Sequence, residues 1–304
     1  MAVSGQGRRS AFAGVHPAVR FGFFACALGL GMCLRHPVFQ AIGLAGALAL
    51  CLLLRGRRAL RLVGGLALVA VLVAAVNPLF DPLGNTVVLT WADGRPYTLE
   101  ALGAGLSAGV MLADVLLWFS CYNAVMDAEA VQFLFGRIAP AASFVLSATL
   151  RLVPDYRRAV RAIATADRCT GGGVRAAQAG RRARLARSGM HLSALAGWAL
   201  ESGVVAADSL RARGFGLPGR TSFSLYRFGT RDGVLVGGML VLAAGALAAV
   251  ASGAADVAYL PALRLPVPTL AGAVGCGCYA ALLALPCAME IREAVSWRCS
   301  LSRI

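Results

Sequence analysis

Six apolar runs that approach or exceed the ~20 residues needed to cross a ~30 Å hydrocarbon layer as a helix constrain this chain more than any other feature. They extend approximately over 19–34, 39–54, 60–80, 101–126, 234–250 and 267–289. Of the 304 residues 59% are hydrophobic and 14% charged, against the roughly 25% charged residues of an ordinary soluble domain. The expected fold is therefore an all-α polytopic membrane protein with about six transmembrane helices plus cytoplasmic helices.

The short connections orient the chain. Arg8, Arg9 and Arg20 precede or open the first run, and Arg55, Arg57, Arg58 and Arg61 lie around the second connection. The loop after the third run holds Asp81, Asp93 and Glu100, with Arg95 as its one basic residue. Basic residues gather on the cytoplasmic side, so the amino terminus is expected inside, in a bacterial plasma membrane. Four crossings bring the chain back to that side near Asp127, and a closing hairpin leaves the carboxyl terminus there too. Three regions follow: 1–126 with four spans, 127–231 as a cytoplasmic arginine-rich region, and 232–304 as a membrane hairpin with a basic tail. Between Met126 and Leu152 the apolar stretches are short and broken by Gly136 and Pro140, which places them at the cytoplasmic interface.

The net charge of +15 is carried by arginine alone, which excludes lysine chemistry such as Schiff-base formation. Between Arg151 and Arg231, fifteen arginines face four acids. In a membrane protein this charge points to topology and to anionic lipid rather than to nucleic acid. Val153, Tyr156, Val160 and Ile163 recur at helical spacing among Arg157, Arg158, Arg161 and Arg168, predicting a basic amphipathic helix over 151–170 with Pro154 in its first turn. A second helix is expected from Met190 to Arg213, lined by small residues such as Gly197 and Gly203 that permit close helix approach. The run holding Arg175, Arg181, Arg182, Arg184 and Arg187 reads as a solvated or lipid-phosphate-binding stretch between them. Arg213 followed by Gly214 makes a helix C-terminus, with a cation at the negative end of the dipole and glycine free to turn left-handed.

Clustered acids for catalytic metal ions are absent from the sequence, and His16, His36 and His191 lie far apart in it, which argues against a membrane-bound lipid-modifying enzyme. The nine cysteines form no CxxC pair, and most sit in apolar runs, where they act as small apolar residues. Asp114, within the fourth run, is the candidate intramembrane polar contact.

Several blocks, in order along the chain, resemble the transmembrane T component of energy-coupling factor transporters: RHP at 35–37, NPLF at 77–80, YTLEAL at 97–102, RLVPDY at 151–156, SLRARGFG at 209–216 and GRTS at 219–222. That resemblance implies a non-catalytic scaffold that binds no cofactor itself. Its partners would be two ABC-type ATPase subunits carrying ATP and Mg, and a small membrane S component that captures a vitamin or a transition-metal ion. In the family two coupling helices each end in a small residue, Arg and Gly, and each end docks on one ATPase. Ala212, Arg213 and Gly214 match the second signature. The first falls at Cys169, Thr170 and Gly171, where threonine stands for arginine, so coupling to the two ATPases is expected to be unequal. Arg168 and Arg175 are the candidates to replace the missing arginine. The alternative is a conventional ABC permease that binds substrate itself.

Overall fold

A computed structural model describes residues 12–80, 86–90, 96–136, 139–171, 180–215, 217, 226–253, 257 and 269–301. They fall into two compact units, one formed by 1–131 with 226–304 and the other by 132–225.

The first unit holds α1 (Pro17–Cys33), α2 (Pro37–Arg55), α3 (Arg58–Phe80), α4 (Leu99–Val125), α8 (Thr230–Ala251) and α9 (Leu270–Leu301). The chain is an all-α polytopic membrane protein: α2, α3, α4, α8 and α9 are long and apolar enough to cross a bilayer, and α1 is an apolar helix of 17 residues. The same device starts α1 and α2. A histidine stands at the N-cap and a proline at the first helical position, and the imidazole Nδ1 of His16 or His36 accepts from the N–H two residues on. Proline loses nothing there, since that N–H has no helical acceptor. Gly56, at φ 58°, turns α2 into α3.

Small residues set the spacing between α3 and α4. Ala101, Gly105, Gly109 and Ala113 form a buried stripe on α4. A Cβ at Gly109 would lie 2.5 Å from Ala70 O, and one at Gly105 2.6 Å from Asn77 Cβ. Backbones meet at these two positions because neither carries a side chain. Gly275 likewise brings α9 against Ala249 of α8, and Gly245 receives Cys278. The aromatic part of the core lies between α1 and α4, where Phe23 and Phe24 meet the ring of Trp118 edge-on at 5.8 and 6.3 Å. Before α4, where the sequence predicts only a loop, the chain forms a short antiparallel pair, β1 (Val87–Thr90) with β2 (Pro96–Thr98).

Helix α5 (Ala128–Gly136) leads towards the second unit, which contains α6 (Pro140–Cys169) and α7 (Arg181–Ala212). At nine residues α5 spans about 14 Å, far too little to cross a bilayer. Two expectations are corrected here. Pro140, not a residue near Arg151, starts α6 at its N1 position, and Pro154 lies inside the helix. Second, α7 begins at Arg181 rather than Met190, so Arg181, Arg182, Arg184 and Arg187 are helical rather than a loop. Arginine has good helix propensity, and it needs no apolar periodicity to continue a helix that packs further along. Arg175 and the block at 219–222 lie outside the described residues.

Candidate functional site

Three contacts join α6 and α7 as an antiparallel pair. Phe144 and Phe215 stack with centroids 4.5 Å apart, Tyr156 meets Trp198 edge-on at 5.6 Å, and Asp167 pairs with Arg187. The last is bidentate: Arg187 Nε donates to Asp167 Oδ2 at 2.9 Å and Nη2 to Oδ1 at 3.1 Å. His191 Nε2 lies 3.3 Å from the same Oδ2. These hydrogen bonds are the main cause that holds the Asp167 carboxyl below its ordinary range, against a smaller opposing effect of burial.

Both helices end in the same backbone conformation. Thr170 closes α6 at φ −82°, ψ 14°, and Arg213 closes α7 at φ −84°, ψ 7°. Each is followed by a left-handed glycine, Gly171 at φ 79° and Gly214 at φ 77°. At the second end Gly214 N donates to Arg211 O at 2.9 Å and Phe215 N to Leu210 O at 3.0 Å, the paired bonds of a Schellman cap. Gly171 N donates equivalently to Arg168 O at 3.1 Å. Where Arg213 presents a guanidinium, Thr170 turns its hydroxyl inward, donating to Asp167 O at 3.0 Å. Arg168 stands two residues earlier, about 200° around the helix axis from Thr170. Ala212, Arg213 and Thr170 are exposed, and both glycines partly so. Because Arg187 pairs with Asp167, near the end of α6, the two caps lie at opposite tips of the hairpin. Some 26 residues of α7, about 39 Å, run between them. On α6 itself, Val153, Tyr156, Arg157, Val160 and Arg161 line a shallow groove of about 580 Å³.

Asp114 belongs to the membrane unit, where it is 4% exposed. It meets residues from three other helices. A Cβ at Gly43 of α2 would stand 3.0 Å from both Asp114 Oδ2 and Tyr279 Oη of α9, and one at Gly31 of α1 3.1 Å from Asp114 Oδ2. Asp114 Oδ1, Tyr279 Oη and Trp118 Nε1 are all buried without a hydrogen-bond partner among the described residues. Arg20 Nε and Ser120 Oγ of the same unit are also buried without a partner among the described residues, whereas Gln40 Nε2 donates to Ser107 Oγ at 2.9 Å. An acid buried between four helices in an apolar layer is costly and marks a polar contact point. No group of three His, Cys, Asp or Glu side chains with the geometry to hold a metal ion occurs among the described residues.

The sequence reading placed Asp114 and both helix ends. It missed Tyr279, Gly31, Gly43, Arg187 and His191, all of which reach their partners through tertiary contacts. Trp118, four residues from Asp114, was the one neighbour visible in the sequence. No protein-family model matches this chain, and no curated protein matches it either.

Proposed function

We propose that this chain is the membrane-embedded coupling subunit of an ATP-driven importer of the energy-coupling factor type. It sits in a bacterial plasma membrane with both termini cytoplasmic. Two ATPase partners hydrolyse ATP, and a separate small membrane protein captures the substrate, a vitamin or a transition-metal ion. The observation that carries the reading is the pair of glycine-capped, exposed helix ends at opposite tips of one hairpin, about 39 Å apart along α7. Two separate docking points suit two ATPase subunits that move relative to each other, with the hairpin transmitting the motion.

The two ends differ chemically. Arg213 offers a planar fork of donors to carboxylates or carbonyls, whereas the hydroxyl of Thr170 is taken up by its own helix. Docking at the α7 end therefore carries more of the affinity. Affinity capture from native membranes tests the reading: the wild-type chain should bring down two nucleotide-hydrolysing subunits and a small membrane protein. Arg213→Glu should weaken ATPase capture by about 2 to 5 kcal/mol, and Thr170→Ala by less than about 0.5 kcal/mol. Capture of no ATPase, or equal capture by Arg213→Glu, defeats it.

The buried cluster at Asp114 favours a second reading, a permease that binds substrate itself. Uptake by a preparation lacking any small membrane partner, abolished by Asp114→Asn, would select it.

A further inference from the structure

The chain leaves the membrane unit once and returns once. It leaves within α5, at Val131, six residues past the end of α4 at Val125, and returns through the segment before α8, from Tyr226 to Gly229. One turn of helix at the start of α1 touches the helix that precedes the exit and the segment that returns.

Arg20 makes the first contact. Its side chain is 1% exposed and its Nη1 donates to Val125 O at 3.0 Å, the carbonyl of the last residue of α4. That carbonyl is one of the four a helix end leaves unsatisfied, and a guanidinium there complements the negative end of the dipole. A basic residue that served only to orient the chain in the membrane would stay in water, because burying a guanidinium without a carboxylate is unfavourable. The burial of Arg20 is explained by the position it imposes on α4.

His16, one turn earlier, makes the second contact. Arg20 N donates to His16 O at 3.3 Å, so the two residues belong to one turn. The imidazole meets Phe228 edge-on at 5.3 Å and Tyr226 at 6.4 Å. His16 N donates to Asp232 Oδ1 at 3.4 Å, while Asp232 Oδ2 accepts from Gly229 N at 3.0 Å and so ties the returning segment to the start of α8. Phe12 extends the same anchorage to α9, donating from its N–H to Glu290 Oε1 at 3.1 Å and packing its ring on Phe23 at 5.5 Å.

We propose that Phe12–Arg20 is the clamp through which movement of the hairpin reaches the transmembrane helices, with Arg20 and His16 as its positioning residues. The proposal rests on the coupling function above. It assigns the transmission of force to residues that touch neither the ATPases nor the substrate.

The test uses the complex purified with its ATPase partners and reconstituted in liposomes, measuring ATPase capture, ATP hydrolysis and uptake. Arg20→Met removes the donor to Val125, and Arg20→Lys keeps a single one. Phe228→Ala removes a ring that is 58% exposed, so it tests the returning side with little risk to folding. Arg20→Met and Phe228→Ala should capture the ATPases at the wild-type level and hydrolyse ATP within about twofold of wild type, with uptake per ATP falling at least tenfold; Arg20→Lys should recover part of it. Uptake and hydrolysis falling in equal proportion, or uptake per ATP unchanged in both variants, overturns the clamp. Failure of the coupling reading itself would show separately, as retained ATPase capture by Arg213→Glu.

Discussion

Asp167 and Arg187 bridge α6 and α7 by three hydrogen bonds of 2.9, 3.1 and 3.2 Å, with His191 against the same carboxylate. The pairing fixes the hairpin register at the end where α6 stops, three residues before Thr170.

A pH dependence follows. The native pairing depresses the Asp167 carboxyl below the ordinary value, chiefly through hydrogen bonds from Arg187. Its stabilisation is therefore fully present above about pH 4 and lost as pH falls through the depressed native value. Nitroxide labels placed across α6 and α7 should report a constant separation from pH 7 to pH 5 and a spreading distribution in strong acid. In Asp167→Asn the spread should already be present at neutral pH, with no further acid transition from this site.

Gly43→Ala should destabilise the membrane unit by about 1 to 3 kcal/mol, because the new methyl stands 3.0 Å from Asp114 Oδ2 and Tyr279 Oη. Tyr279→Phe removes one of the two crowding oxygens, so the double variant should regain part of the loss. Gly29→Ala meets nothing within 4 Å and should be neutral or slightly stabilising. Thermal unfolding in detergent ranks the three; equal midpoints for Gly29→Ala and Gly43→Ala would contradict this packing.

Gly109→Ala should cost more than Gly43→Ala, about 3 kcal/mol or above, because its Cβ meets the Ala70 backbone rather than a side chain. No second truncation relieves it. A variant such as Ala70→Gly leaves the carbonyl in place, and the same unfolding assay should show no recovery.

At the helix ends, Gly171→Val and Gly214→Val force a β-branched residue to φ near +78° and should each cost about 1 to 2 kcal/mol in the last turn. Asparagine tolerates that region better and should cost less. Amide exchange at 166–171 and 209–215 reads the fraying directly. For Gly214, where Leu217 Cδ1 lies 3.1 Å from a Cβ position, the valine variant should also displace Leu217.

Much of the architecture was legible because it depends on local properties. A run such as 60–80 is long and apolar enough to span whatever its neighbours do, and α3 extends over Arg58–Phe80. Arg213 with Gly214 announced a helix end, since a left-handed cap needs only a residue lacking Cβ at that point. Local reasoning failed where a helix gains its stability from a partner. The sequence around Pro154 reads as a start, yet α6 runs through it from Pro140, held by contacts such as Tyr156 with Trp198. The arginines from 181 to 187 look like a solvated loop until Arg187 finds Asp167 twenty residues away.

By itself the sequence determined that this is a polytopic helical membrane protein with an arginine-rich hairpin and two glycine-capped helix ends, because span length, charge and cap chemistry are properties of short stretches. Only the tertiary structure decided which helices share the polar point at Asp114, that Tyr279 lies 165 positions along the chain from it, and that Arg20 is buried against Val125 rather than exposed at the membrane surface. Helix packing assembles such contacts from residues far apart in the chain, and no local pattern records which small residue will leave room for them.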